Sequence, residues 1–315
     1  MNESPGRVCP LRYRYGAAAL AEAPERRAET LYVIGGLYGN RSALDAVEAL
    51  ATAEPDPATL CFNGDFHWFD VDDAAFADIN YRVLCHDAIL GNVEEELLAE
   101  NEDAGCGCAY PETVDAETVE RSNRIHARLK ATAHRHPEAL GDLRALPRFA
   151  RYRVGEVRVG VVHGDAEALA GWRFDAVALD DPANREWLAS AFLEAGVDVF
   201  ASSHTCLPAL RRFEFAGLPK WVVNNGAAGM PNFADTRFGV VTRIRVSPGP
   251  HPRLYGGTLD GVRIDALALE FDADRWERAF LANWPPESPA YRSYFSRIIH
   301  GPGHMIERAH TAVPR

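Results

Sequence analysis

Apolar positions along the chain fall into short runs and helical stripes that alternate for most of its length. Residues 31–34 form a continuous apolar run of strand length, the pattern of a strand covered on both faces. Asn40 or Ser42 can then cap an amphipathic stretch continuing through 43–50. A second apolar run at 59–62 precedes a helical stripe over 73–85, and 88–90 repeats the strand signal directly before Gly91 and Asn92. This opening is a βαβ pattern. Further on, 149–154 and 156–162 alternate as an antiparallel hairpin around Gly155, and 184–195 is helical. The runs 197–201, 221–226, 239–246 and 262–271 complete the strand content.

Three segments stand outside this alternation. Residues 1–29 form a Pro-, Arg- and Ala-containing leader, expected to pack on the outside of the domain with no chemistry of its own. Residues 95–147 are longer than a simple crossover, carry a helix over 117–134, and could cap a site. Residues 272–315 follow as a C-terminal extension, with a helix over 275–282 and an aromatic stretch at 291–295 whose exposure to water would be costly. The main domain is expected to span 30–271 as two sheets flanked by helices, an α/β class.

Composition narrows the function more than the fold. The chain has 315 residues, 47% of them hydrophobic, enough for a large core, and no compositional shift marks a second independent unit. Its formal net charge of -12 argues against a nucleic-acid backbone as partner, because an acidic surface gains nothing from counterion release. No run approaches the roughly eighteen apolar residues that cross a bilayer, and Arg12 and Arg14 break any signal-type apolar core near the N-terminus. A cytoplasmic protein without a membrane partner is expected. The 6 cysteines match no small stapled framework and read as reduced thiols, with Cys106-Gly107-Cys108 as a glycine-containing loop.

The chemistry lies at the ends of the apolar runs. Asp65 follows the second run, Asn92 the third, His163 closes the hairpin and His204 follows 197–201. Carboxylate, amide and imidazole each offer a lone pair to a divalent cation, and strands of one sheet system would deliver all of them to the same edge. In this order, Gly64-Asp65, Gly91-Asn92-Val93-Glu94, His163-Gly164 and Ser203-His204-Thr205-Cys206 resemble the calcineurin-like metallophosphoesterase superfamily over roughly 31–245. The resemblance implies a four-layer α/β/β/α sandwich of two mixed sheets flanked by helices. It also implies two neighbouring metal sites sharing Asp65.

The match is lopsided. Gly36 and Tyr38 stand where the family's first Asp-x-His ligands belong, and Cys206 where its last His belongs, so the first metal site is dismantled. The second is whole in Asp65, Asn92, His163 and His204. Val93 replaces the histidine that in the family protonates the leaving group or steadies the transition state. A single divalent ion, one of Mn, Fe, Zn or Ni, is therefore expected; it would still lower the pKa of water and polarise a phosphoryl oxygen.

Other candidates sit around the emptied site. His67 is a candidate proton donor or replacement ligand, set against a hydrogen-bonded loop histidine flanked by Trp68 and Phe69. Tyr38 is a catalytic candidate through substrate or metal contact, or simply packs over the cavity, and Cys206 is a possible extra ligand. Gly35-Gly36 could expose backbone N–H groups to a phosphate, or serve only as a tight turn. Asp70, Asp72 and Asp73 read as a solvated loop and helix cap. Two functions stay open: a metal-dependent phosphoesterase acting on a small phosphomonoester or phosphodiester through Asn92 and the groups near it, and a catalytically silent relative that uses the fold for binding or regulation.

Overall fold

The alternating signals resolve into two six-stranded mixed sheets in the computed structural model, which describes residues 4–100 and 103–310. In chain order the strands are β1 (Glu25–Arg27), β2 (Thr30–Ile34), β3 (Ala58–Asn63), β4 (Asp87–Ile89), β5 (Phe149–Val154) and β6 (Val157–Val162). They continue with β7 (Val199–Ser202), β8 (Ala209–Phe215), β9 (Leu218–Asn224), β10 (Gly239–Arg245), β11 (Tyr255–Leu259) and β12 (Val262–Leu269). The helices are α1 (Ala18–Glu22), α2 (Arg41–Thr52), α3 (Asp73–Val83), α4 (Asn92–Leu98), α5 (Ala116–Ala133) and α6 (Pro137–Arg144). After them come α7 (Ala176–Asp180), α8 (Arg185–Ala195), α9 (Ala273–Asn283), α10 (Pro289–His300) and α11 (Ile306–Ala309).

One sheet runs β11-β12-β10-β2-β3-β4 and the other β1-β5-β6-β7-β9-β8. Strands β2, β3 and β4 are parallel, as are β6, β7 and β9, and antiparallel strands extend each parallel centre. The sheets face each other across a core of alternate residues. Leu31, Val33, Cys61 and Ile89 from the first sheet pack with Val159, Val161, Val199, Ala201 and Val223 from the second. The intervening residues point outward to the helices: Tyr32, Ile34, Leu60 and Phe62 meet the apolar faces of α2, α3 and α5, while Phe200 and Val222 meet α8. The result is the helix-sheet-sheet-helix sandwich, whose central strands are buried at every position because both faces are covered.

Local signals set the helix starts. Asn40 accepts a hydrogen bond from the Ala43 N–H at 3.0 Å, and Asp72 does the same for Ala75 at 2.9 Å. Ser288 caps α10, whose first residue, Pro289, fits a helix start because its missing N–H would have no partner there.

The leader is more deeply built in than expected. Glu25–Arg27 add a parallel edge strand to β5, and Tyr13 is fully buried with its hydroxyl donating to Glu96 at 2.5 Å. The C-terminal extension returns across the molecule: α10 packs on α5, and His310 bridges to Leu210. Residues 1–3 of the leader, 101–102 of the insertion and 311–315 of the extension lie outside the described residues. No helix among the described residues is long and apolar enough to cross a membrane.

Candidate metal centre

The parallel strands of both sheets end at the same edge, where crevices for ligands form in open α/β sheets. Asp65 lies just beyond β3, Asn92 opens α4 just beyond β4, His163 follows β6 directly and His204 follows β7. Asp65 has φ 53°, a left-handed conformation that aspartate tolerates better than most side chains. Its turn is held by the buried Glu94, whose carboxylate accepts from the backbone N–H groups of Asp65 at 2.8 Å, Gly91 at 3.0 Å and His67 at 3.2 Å. Gly64 and Gly91 let the two loops close. A Cβ on Gly64 would stand 2.5 Å from Gly91 Cα, and one on Gly91 would stand 2.3 Å from Asp65 Oδ1.

The four expected residues meet. His163 Nε2 stands 3.3 Å from Asp65 Oδ1, 3.0 Å from Asn92 Oδ1 and 3.3 Å from His204 Nδ1. Each of the three side chains other than Asp65 is held from behind by a main-chain carbonyl. His163 Nδ1 donates to Asn63 O at 2.8 Å, Asn92 Nδ2 to Cys106 O at 3.0 Å and His204 Nε2 to Cys108 O at 3.0 Å. Such back-side partners set tautomer and ring orientation, as they do for metal-binding histidines generally. With those protons placed, the forward atoms are all acceptors: two imidazole nitrogens, an amide oxygen and a carboxylate oxygen.

Buried lone pairs that face one another need a positive charge between them. Burial disfavours a charged His163, yet the Asp65 carboxylate more than offsets this and raises its pKa above the usual histidine value. His204 is pushed the other way, to about 3, by burial and by its proximity to His163. Burial would raise Asp65, but His163 overcomes it and holds the carboxylate below its ordinary value. One proton on His163 answers the need, and so does a cation. The spacing suits a cation: bonds of roughly 2.1 Å place adjacent ligand atoms about 3.0 Å apart in an octahedron and about 3.4 Å apart in a tetrahedron. The ligating atoms of Asp65, His163 and His204 all lie within 4.8 Å of one another. The residues present therefore fit one divalent ion.

The neighbouring positions hold no second ligand set. The Tyr38 ring lies over Gly36, so that a Cβ there would stand 2.3 Å from Tyr38 Cζ. The Tyr38 hydroxyl donates to Cys206 Sγ at 2.7 Å, and the Cys206 thiol donates on to His204 O at 3.2 Å. Burial raises the pKa of both groups and keeps them protonated. Cys206 thus bonds Tyr38 and stays outside the ligand cluster, correcting its reading as an extra ligand. Gly36 is likewise not a phosphate nest, because Tyr38 covers it and α2 starts only at Arg41, beyond a further turn.

His67 is also placed away from the chemistry. It is wholly buried, stacks on Phe76 with ring centroids 4.2 Å apart, and bonds Asp70 at 2.6 Å. Those contacts make it a strut in the loop rather than a proton donor at the cavity, and they account for a buried Asp70 where a solvated one is expected. Asn92 has its amide nitrogen engaged, so its role is carried by the oxygen.

A cavity of about 180 Å³ opens in front of Asp65, Asn92 and His204. Tyr38, Trp68, Val93, Cys108, Tyr110 and Trp172 form part of its wall, with Thr205, Cys206, Met230, Tyr294 and Arg297. Cys108, Tyr110 and Trp172 come from the long insertion and from the loop after His163; Tyr294 and Arg297 come from α10. Tyr110, Trp172 and Arg297 carry no sequence signal of this role. The Cys-Gly-Cys loop stood out as a motif, but its contribution to the ligands is two backbone carbonyls, and nothing in the spacing of Arg297 marks it.

No protein-family model matches the chain, and no curated protein matches it. Solved structures do. A metallophosphoesterase from Sphaerobacter thermophilus is similar at a TM-score of 0.53 and 16% identity, covering 84% of this chain and 98% of that one. A hypothetical protein from Pyrococcus horikoshii OT3 is similar at a TM-score of 0.56 and 16% identity, covering 87% and 99%. With its paired mixed sheets and flanking helices, the chain shares its fold with the Sphaerobacter thermophilus metallophosphoesterase.

Proposed function

We propose that this protein is a metal-dependent phosphoesterase that works with one divalent ion held by Asp65, Asn92, His163 and His204. The observation that carries this reading is the convergence of four acceptor atoms, each neutral one braced from behind by a carbonyl, at the floor of a cavity. When bound, a divalent ion polarises a phosphoryl oxygen and makes water a stronger acid. The chain's own residues position the ester and exclude bulk water, through Trp68, Tyr110, Trp172 and Tyr294 at the walls. The cavity is smaller than the roughly 300–1,000 Å³ of drug-sized sites, which favours a compact phosphate ester.

A second reading, a catalytically silent binding protein, is favoured by Val93 in the wall and by the Tyr38–Cys206 pair over Gly36. Metal analysis combined with turnover of chromogenic phosphomonoester and phosphodiester substrates, after adding Mn, Fe, Zn or Ni, separates the two. The enzyme reading expects one equivalent of metal and turnover that falls at least about 100-fold in Asn92→Ala. One equivalent of metal with no turnover on either ester class supports the silent relative instead.

A further inference from the structure

Among the described residues lining the cavity, Asp65 and Arg297 alone carry a formal charge. Asp65 is committed to the ligand cluster. Arg297 comes from α10, where it shares a face with Tyr294 three residues earlier. Its Nε donates to Pro231 O at 3.1 Å and its Nη2 to Cys206 O at 2.9 Å. Those bonds fix the plane of the guanidinium and leave Nη1 without a protein partner among the described residues. The helix that carries it is itself braced, since Arg121 of α5 donates to Ser293 at 2.8 Å.

We infer that Arg297 is the anion-binding arm of the cavity and that the ligand it selects is a phosphomonoester dianion. This rests on the reading of the four-residue cluster as a metal site. A divalent ion, one carboxylate and one guanidinium leave a net charge of about +2 in a cavity walled by aromatic rings, where charges interact strongly. A dianion neutralises that charge. A diester, with a single negative charge, leaves half of it unmet. The guanidinium presents its free N–H groups to phosphate oxygens in a fixed plane, which a lysine cannot reproduce.

The test is calorimetric titration of inorganic phosphate, methyl phosphate and dimethyl phosphate into the metal-loaded full chain, as wild type, Arg297→Met and Arg297→Lys. Metal content and thermal unfolding are measured on each. Wild type is expected to bind methyl phosphate at least roughly tenfold more tightly than dimethyl phosphate. Arg297→Met is expected to weaken phosphate binding by roughly tenfold or more and to shrink the preference for the monoester, with metal content unchanged; Arg297→Lys recovers part of both. If Arg297 is only a strut between Pro231 and Cys206, Arg297→Met lowers the unfolding temperature yet binds phosphate as wild type does, and the inference is overturned. Equal affinity of wild type for the two esters, or no phosphate binding by the metal-loaded protein, overturns it as well. Absence of turnover with phosphate binding intact sinks the phosphoesterase reading and leaves the role of Arg297 standing, whereas absence of bound metal removes both.

Discussion

The ring of Tyr38 does at one position what several substitutions do together: it occupies the space over Gly36 and hands a hydrogen bond to Cys206. Gly36→Asp should therefore collide with the ring and destabilise the fold by about 1–3 kcal/mol, the usual range for overpacking a filled space. Adding Tyr38→His removes the obstruction, and thermal unfolding should recover most of the loss; if the double variant is no more stable than the single one, the ring is not the obstacle. At this scale the four residues of the cluster were legible because each follows an apolar run in chain order. The carbonyls of Asn63, Cys106 and Cys108 were not, because every residue offers a carbonyl and only the folded path decides which is used. His67 misled for the complementary reason: its position two residues from Asp65 suggests chemistry, but the turn sends its ring into the core beside Phe76.

Between elements, α5 and α4 are joined by a buried histidine. His126 Nε2 donates to Val93 O at 3.1 Å, and burial, with Lys130 nearby, pushes its pKa down to about 4. A depressed histidine favours the folded state while neutral, so its contribution is whole above about pH 6.5 and is lost as pH falls toward 4. That corresponds to roughly 3 kcal/mol at most. His126→Gln should flatten the fall in stability across this window, measured by denaturant unfolding at stepped pH in metal-free protein; an unchanged slope would remove His126 as its source. The elements themselves were unevenly readable. The 149–162 hairpin and helices α3, α5 and α8 stood out by period, with small boundary shifts. Short or edge elements did not: β1 has 3 residues and α4 has 7, too few to show a repeat, and α4 starts on Asn92 itself inside a motif that draws attention to chemistry.

For the molecule as a whole, the cluster joins the two sheets. Asp65 and Asn92 extend strands of one sheet, and His163 and His204 extend strands of the other. A ligand that binds only this folded arrangement stabilises it by mass action, about 2.7 kcal/mol at a free concentration one hundred times its Kd. Saturating divalent metal should raise the unfolding midpoint, a chelator should reverse the rise, and Asp65→Asn should abolish the response. Because Asp65 raises the pKa of His163, a proton competes there with a metal ion, so affinity should weaken as the solution is acidified. A midpoint indifferent to metal in the wild type would mean that the cluster takes only the proton. The sandwich was foreseeable from the alternation of strands and helices. The way in which leader and C-terminal extension lock onto it was not, because Tyr13 reaches Glu96 and α10 reaches α5 across long stretches of chain.

The three carbonyls behind the ligands carry a consequence for descent. Mutation replaces side chains and leaves the main chain in place, so no single substitution at Asn63, Cys106 or Cys108 deletes the acceptor that aims its imidazole or amide. As acceptors, those three positions depend on the course of the loops rather than on the side chain they carry. Heritable loss of the cluster should come through Asp65, Asn92, His163 or His204 themselves, or through Gly64 and Gly91, which let their loops touch.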